Sequence, residues 1–173
     1  IITTAIEHDA VRMPCRALEK QGYEVTYLQP NREGGLCLDA LERALRPETV
    51  LVSVMLVNNE LGNRLPVEDI SALLKRQGSR ALLHCDGIQG FLKVPFTPGA
   101  LGVDLLSVSG HKVHAPKGIG ALYIRKGLSL PPMLHGGGQE RELRSGTEAT
   151  GQIAAFAAAV EAGAKTLARD VAH

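Results

Sequence analysis

Val50-Leu51-Val52-Ser53-Val54-Met55-Leu56-Val57, followed at once by Asn58-Asn59-Glu60, is the stretch on which the fold turns. Apart from one small hydroxyl the first eight residues are aliphatic. They do not alternate polar with apolar, so neither face of such a strand is meant for water. A strand buried on both faces belongs to a parallel sheet covered by helices on either side. The polar triplet marks the point where the chain leaves the sheet.

Working outward, segments of strand type and helix type alternate. Upstream, 1–6 is β-branched and apolar, and 10–20 reads as a helix capped by Asp9 with Gly22 just beyond it. Pro14 either kinks that helix or delays its start by a turn. A strand follows over 23–28. Leu38, Leu41 and Leu45 then fall on one helical face before Pro47. Downstream, Pro66 opens a helix through Gln77 with Ile70, Leu73 and Leu74 inward and Gly78 after it. Strands are expected over 81–85, 103–108 and 120–125. Pro131-Pro132 and Gly136-Gly137-Gly138 break regular structure, and 153–168 is an Ala-rich helix. The alternation predicts one domain, a three-layer α/β/α fold with a mostly parallel central sheet. No repeat or linker interrupts it.

Composition narrows the partners. The net charge of +1 gives no electrostatic reason to expect nucleic acid or an anionic membrane, and no apolar run reaches the length of a membrane span. Three cysteines, Cys15, Cys37 and Cys85, are widely spaced and odd in number, which fits neither a disulfide framework nor a zinc ribbon. A reducing compartment, the cytoplasm, is the simpler reading. The start, Ile1-Ile2-Thr3-Thr4, has no initiator Met and no signal-peptide pattern, so the chain is expected to be a piece of something longer.

In open α/β sheets, ligands bind at the carboxyl ends of the strands, and the polar residues of this sequence gather there. His8 follows the first strand, Asn58-Asn59-Glu60 the third, Asp86 and Gln89 the fourth, and Ser109-Gly110-His111-Lys112 the fifth. The last set places a hydroxyl, an imidazole and an ammonium beside a glycine, which suits an anion such as phosphate and positions one lysine for covalent work. Taken alone, that tetrapeptide reads more readily as a solvated turn with a surface lysine. Asp86 either caps the next helix or holds a ligand; a protonated ring nitrogen needs such a fixed carboxylate to stay cationic. Gln89 is expected on the same side of a first helical turn as Asp86. His8 alone reads as a helix-entry residue and Asn59 as a turn former. The run from Gly136 to Gly138, with Arg141, Arg144 and Thr147, is either a loop or a set of donors for an anion. His111 and His114 have a spacing that zinc tolerates but lack a third ligand, so no metal is expected. Cys85 ends a buried strand and reads as an inert thiol.

The motifs Glu-His-Asp-Ala-Val (7–11), Val-Asn-Asn-Glu-Leu-Gly (57–62), His-Cys-Asp-Gly-Ile-Gln (84–89), Ser-Gly-His-Lys-Val-His-Ala-Pro-Lys-Gly-Ile-Gly-Ala-Leu-Tyr (109–123) and His-Gly-Gly-Gly-Gln-Glu-Arg with Arg-Ser-Gly-Thr (135–147) together resemble the NifS/IscS-type cysteine desulfurases. These are fold-type I pyridoxal 5'-phosphate (PLP) enzymes of the aminotransferase class V group. The resemblance covers almost the whole chain, in order. It implies that residues 1–173 are the PLP-binding large-domain core, and that Lys112 is the lysine to which PLP is covalently attached. Asp86 would pair with the pyridinium nitrogen, and Gln89 and Asn59 would hydrogen-bond the phenolic oxygen. His8 would stack on the ring and move protons, while Ser109 and His111 hold the phosphate. Thr147 would reach the phosphate of a neighbouring subunit, which implies a homodimer. The reaction implied converts L-cysteine to L-alanine and passes sulfur, as an enzyme persulfide, to an acceptor such as an iron–sulfur scaffold protein.

Full-length members of that family also have an N-terminal segment with a further phosphate-binding threonine. Their C-terminal small domain carries the persulfide cysteine and an arginine for the substrate carboxylate. Neither segment falls within 1–173, and Cys15, Cys37 and Cys85 match none of the persulfide-cysteine contexts. The fragment is therefore expected not to complete sulfur transfer. A selenocysteine lyase or another class V lyase such as a cysteine-sulfinate type, and a non-catalytic module that keeps the fold, are the alternative readings.

Overall fold

The structure is a computed structural model that describes residues 1–172. Its centre is a six-stranded sheet made of β1 (Ile2–Thr4), β2 (Thr26–Leu28), β3 (Leu51–Met55), β4 (Leu82–Asp86), β5 (Leu105–Ser109) and β6 (Gly120–Ile124), in the spatial order β2-β1-β3-β4-β5-β6. The first five run parallel and β6 is antiparallel to β5. The helices are α1 (Asp9–Glu19), α2 (Leu38–Ala44), α3 (Val67–Arg76), the short α4 (Pro98–Leu101) and α5 (Thr150–Val171).

The register divides the sheet into two unlike faces. Ile2, Val52, Val54, Leu83, Cys85 and Leu106 share one face and enter the core with Leu41 of α2, four side chains of α3 (Val67, Ile70, Leu73, Leu74) and Leu101 of α4. Fully burying an aliphatic side chain contributes roughly 1.5–3 kcal/mol, so this face supplies most of the drive to fold. The opposite face carries Thr3, Ser53, His84 and Ser107, one strand after another. α1 reaches this second face, where Glu19 accepts a hydrogen bond from Tyr27, the register partner of Thr3. α5 packs through Phe156, whose ring meets Phe91 edge-on at 6.4 Å.

Several expected boundaries move inward. β2 begins at Thr26 rather than at 23, because the turn Gln21–Gly22 (Gly22 at φ 92) delays pairing. The cap of α1 is His8, not Asp9: the His8 Nδ1 accepts from the Ala10 N–H at 3.1 Å, and Asp9 instead pairs with Arg12. Pro14 lies inside α1 without delaying it, and having no N–H it cannot donate to the carbonyl one turn back. The helical turn expected after Asp86 is a run of irregular turns, closed by Phe91 N–H to Gly87 O at 2.8 Å. α4 was not expected; Thr97 caps it and Gly102 ends it in the left-handed region at φ 68. A β-carbon there would collide with the Ser71 hydroxyl, which donates to the Gly102 carbonyl.

Candidate active site

Because β1, β3, β4 and β5 are parallel neighbours, their carboxyl ends lie along one edge of the sheet. The structure thereby brings together residues far apart in sequence. His8 follows β1, Asn59 follows β3, Asp86 ends β4, Gln89 lies in the turn after it, and Ser109 ends β5. His111 and Lys112 occupy a 3₁₀ turn, Gly110–Lys112, directly beyond.

Asp86 is buried, and its register partner is Met55. One carboxylate oxygen accepts the Ile88 N–H at 3.0 Å, and its backbone carbonyl accepts Leu56 N–H at 2.9 Å. One carboxylate oxygen is thus held by the turn, and the strand end that carries it is paired to β3. Among the described residues no cation forms an ion pair with it. One oxygen closes the turn, and the group as a whole lacks an ion-paired countercharge.

On β5, Ser109 Oγ and His111 Nδ1 lie 2.7 Å apart, so hydroxyl and imidazole form one hydrogen-bonded unit. Lys112 and His111 are exposed, while Gly110 is buried against Ile119 and Ala115. His8 and Asn59 line a cavity of about 330 Å³ together with Glu7, Arg12 and Asn58. Asn58, not Asn59, is the structural member of that pair. Its amide donates to the Ile6 carbonyl at 3.0 Å, and its oxygen accepts the N–H groups of Glu60 and Leu61. Asn59 remains exposed and available. Thr147 is exposed in the segment before α5 and, among the described residues, no hydrogen bond ties it to these strand ends.

Three polar residues of this region carried no role in the sequence reading. His84 is one. It bridges Ser53 Oγ at 2.8 Å and Ser107 Oγ at 2.9 Å, and burial pushes its imidazole below the ordinary range, opposed by the charge of Asp86. Lys93 is the second; it donates to Gln89 Oε1 at 3.2 Å. Partial loss of solvent, then the charge of Lys112, lower its ammonium pKa. Its position four residues after Gln89 was the available signal. Glu7 is the third: burial, more than any other cause, raises its carboxyl to about 7. Only its place directly after an apolar strand hinted at this. Cys85 is fully buried, and burial followed by the charge of Asp86 pushes its thiol above its ordinary range, as an inert side chain requires.

The mostly parallel sheet carries a buried carboxylate and a lysine at adjacent strand ends, a set that suits a pyridoxal phosphate-dependent enzyme. The chain belongs to the aminotransferase class-V family, which it matches over residues 1–172. It is 46% identical over 161 residues to the cysteine desulfurase IscS of Dictyoglomus turgidum (strain DSM 6724 / Z-1310), covering 93% of this chain and 40% of that protein. It is 48% identical over 161 residues to a cysteine desulfurase of Nostoc sp. (strain PCC 7120 / SAG 25.82 / UTEX 2576), with the same coverage. Among solved structures, a NifS-like protein superimposes with a TM-score of 0.94 at 43% identity, over 97% of this chain and 46% of that one. SspA in complex with cysteine superimposes with a TM-score of 0.88 at 44% identity, over 92% and 46%. The chain thus spans less than half the length of these relatives. Enzymes of this family depend on pyridoxal phosphate, and the donor set here fits it. Asp86 supplies a fixed anion lacking a cation, Lys112 an exposed amine, and Ser109 with His111 polar groups for a phosphate. No helix among the described residues is long and apolar enough to cross a membrane.

Proposed function

We propose that this chain is the PLP-binding core of a cysteine desulfurase, whose parent enzyme converts L-cysteine and an enzyme thiol to L-alanine and an enzyme persulfide. The observation that carries the reading is Asp86, a buried carboxylate at a strand end, hydrogen-bonded on one side and without a cation. When bound, PLP supplies an electron sink for the bonds at the substrate Cα. The residues of this chain do the rest. Asp86 holds a proton on the ring nitrogen by charge pairing. Lys112 provides the amine that anchors the cofactor and, once free, takes a proton at Cα. Gln89, with its Oε1 engaged by Lys93, keeps its amide N–H₂ as the group that would donate to the phenolic oxygen of bound PLP, and Asn59 would add a second donor. The Ser109–His111 unit binds phosphate. His8, its Nδ1 accepting the Ala10 N–H, keeps its ring available to stack beside a bound ring and its Nε2 free to move protons. Thr147 serves the phosphate of a neighbouring subunit in a homodimer, and the persulfide passes to an acceptor protein such as an iron–sulfur scaffold in the cytoplasm.

The two buried thiols, Cys15 and Cys85, are sheltered from such sulfur transfer, and the 173-residue chain does not turn over by itself. Titration of the chain with PLP, followed by absorbance, tests the reading. The lysine-attached band should develop at saturating PLP and vanish in Lys112→Ala. An equal band in Lys112→Ala, or no band in either protein, would refute it. Steady release of alanine and sulfide by the isolated chain would refute the claim of incompetence.

A further inference from the structure

Glu7 stands between β1 and α1, only 3% exposed, beside residues that the site uses. Its Oε1 accepts the Thr4 hydroxyl at 2.8 Å and the Met55 N–H at 2.9 Å. Its Oε2 is equally buried and has no hydrogen-bond partner. Met55 is the register partner of Asp86, so the carboxyl of Glu7 reaches the row of the sheet that carries Asp86. The charge of Asp86 on β4 acts on Glu7, and Glu7 in turn raises the thiols of Cys85 on β4 and Cys15 on α1; His8 and Arg12 line the same cavity as Glu7. Among the described residues no cation pairs with it. A charge buried with an orphaned oxygen, a second carboxylate nearby and no cation paired to it is strongly disfavoured.

We propose that Glu7 is a positioning residue of the strand-end site, which as the neutral acid ties the end of β1 to the end of β3, and with it the adjacent His8, without adding a second negative charge beside Asp86. The geometry supports both halves. The Oε1 contacts span β1 and β3, and a proton on the orphaned Oε2 exchanges the larger penalty of a buried charge for the smaller one of an unpaired hydroxyl. Burial lifts the Glu7 carboxyl to about 7, so the switch to the charged form falls near neutrality. The consequence for catalysis rests on Asp86 holding a cofactor nitrogen; the coupling between the two carboxyls does not.

The test is a pH titration by NMR of the cofactor-free 173-residue chain, labelled with ¹³C at the Glu carboxyls and with ¹⁵N throughout. The Glu7 carboxyl should titrate near neutrality, well above the ordinary 4.5. The Met55 amide, bound to Glu7, and the Ile88 amide, bound to Asp86, should inflect at the same pH. Glu7→Gln should remove that inflection from Ile88 while the Met55 hydrogen bond persists, an effect that a merely structural glutamate would not have. A Glu7 carboxyl that titrates in the ordinary range, or an Ile88 amide indifferent to it, overturns the proposal. If Glu7→Gln does not fold, the wild-type titrations decide alone. Since no PLP is added, failure to bind PLP would sink the proposed function and leave this result standing.

Discussion

Replacing Glu7 by Gln should change how the stability of the chain depends on pH, and the size of the change follows from the structure. Burial holds the Glu7 carboxyl at about 7, against an ordinary value of 4.5 in an unfolded chain. Between those two values the folded state binds more protons than the unfolded state, so stability falls as pH rises. The contribution is fully present below pH 4.5, declines as pH passes through 7, and is constant above that. A shift from 4.5 to about 7, at about 1.36 kcal/mol per pH unit, amounts to about 3 kcal/mol. Gln keeps an oxygen for Thr4 and Met55 but cannot ionise. Urea melts of both proteins at pH 4.5, 6, 7 and 8.5 isolate the effect, because other titrating groups cancel in the difference. The Glu7→Gln substitution has its own fixed cost, a buried amide where Oε2 lacked a partner. Against that constant offset, the variant should gain about 3 kcal/mol on the wild type between the lowest and highest pH. A difference that stays flat with pH would refute the reasoning. A gain in the opposite direction would mean that the native carboxyl is charged.

Four further outcomes concern other parts of the molecule. His84→Ala leaves the hydroxyls of Ser53 and Ser107 without their shared partner, and should cost about 2–4 kcal/mol in a urea melt. The wild-type imidazole, lowered by burial, should stay neutral at pH values where a free histidine is half charged, and ¹⁵N shifts of the ring read this directly; the associated stability is lost as pH falls through the folded value. Under native conditions a thiol reagent should modify exposed Cys37 quickly and Cys15 and Cys85 only on unfolding, which mass spectrometry of the labelled peptides would establish. Gly102→Ala forces a side chain into the left-handed region and against Ser71, and should lower stability by roughly 1–3 kcal/mol in the same melts.

The sheet was readable in the sequence because its strands are apolar runs punctuated by glycine and proline; 50–57 and the segment before Ser109 located β3 and β5 directly. What the sequence reading missed obeys other rules. Thr97-Pro98 and Gly102 were the only marks of α4, a single turn too short for any apolar period to show. The capping of α1 by His8 depends on which neighbour reaches Ala10 N–H first, and Asp9 is drawn away by Arg12, three residues on. The strand-end residues Asp86, Gln89, Ser109, His111 and Lys112 were legible because the parallel order itself forces them to one edge. Glu7 was not, since its character comes from burial against Met55, 48 residues further along the chain, which no local pattern records.

That burial connects the site to the polar face of the sheet. A sheet covered on both sides has little use for hydroxyls and an imidazole in its interior, and each would be costly unpaired. Here they satisfy one another: Thr3 Oγ1 donates to the Ser53 carbonyl at 2.9 Å, Ser53 meets His84, and His84 meets Ser107. The row crosses β1, β3, β4 and β5 beneath the strand ends. A strand that slipped by one residue would turn its whole pattern over, which for β4 would present Cys85 in place of Asp86 on this face and leave His84 facing the aliphatic core. Uniform aliphatic strands would not penalise that slip, because either face would accept them. The buried hydrogen bonds do penalise it, and so they fix which side chain of each strand arrives at the edge. On this argument the polar row contributes alignment more than stability, and Glu7, which joins β1 to β3 at the level of Asp86, is its uppermost member.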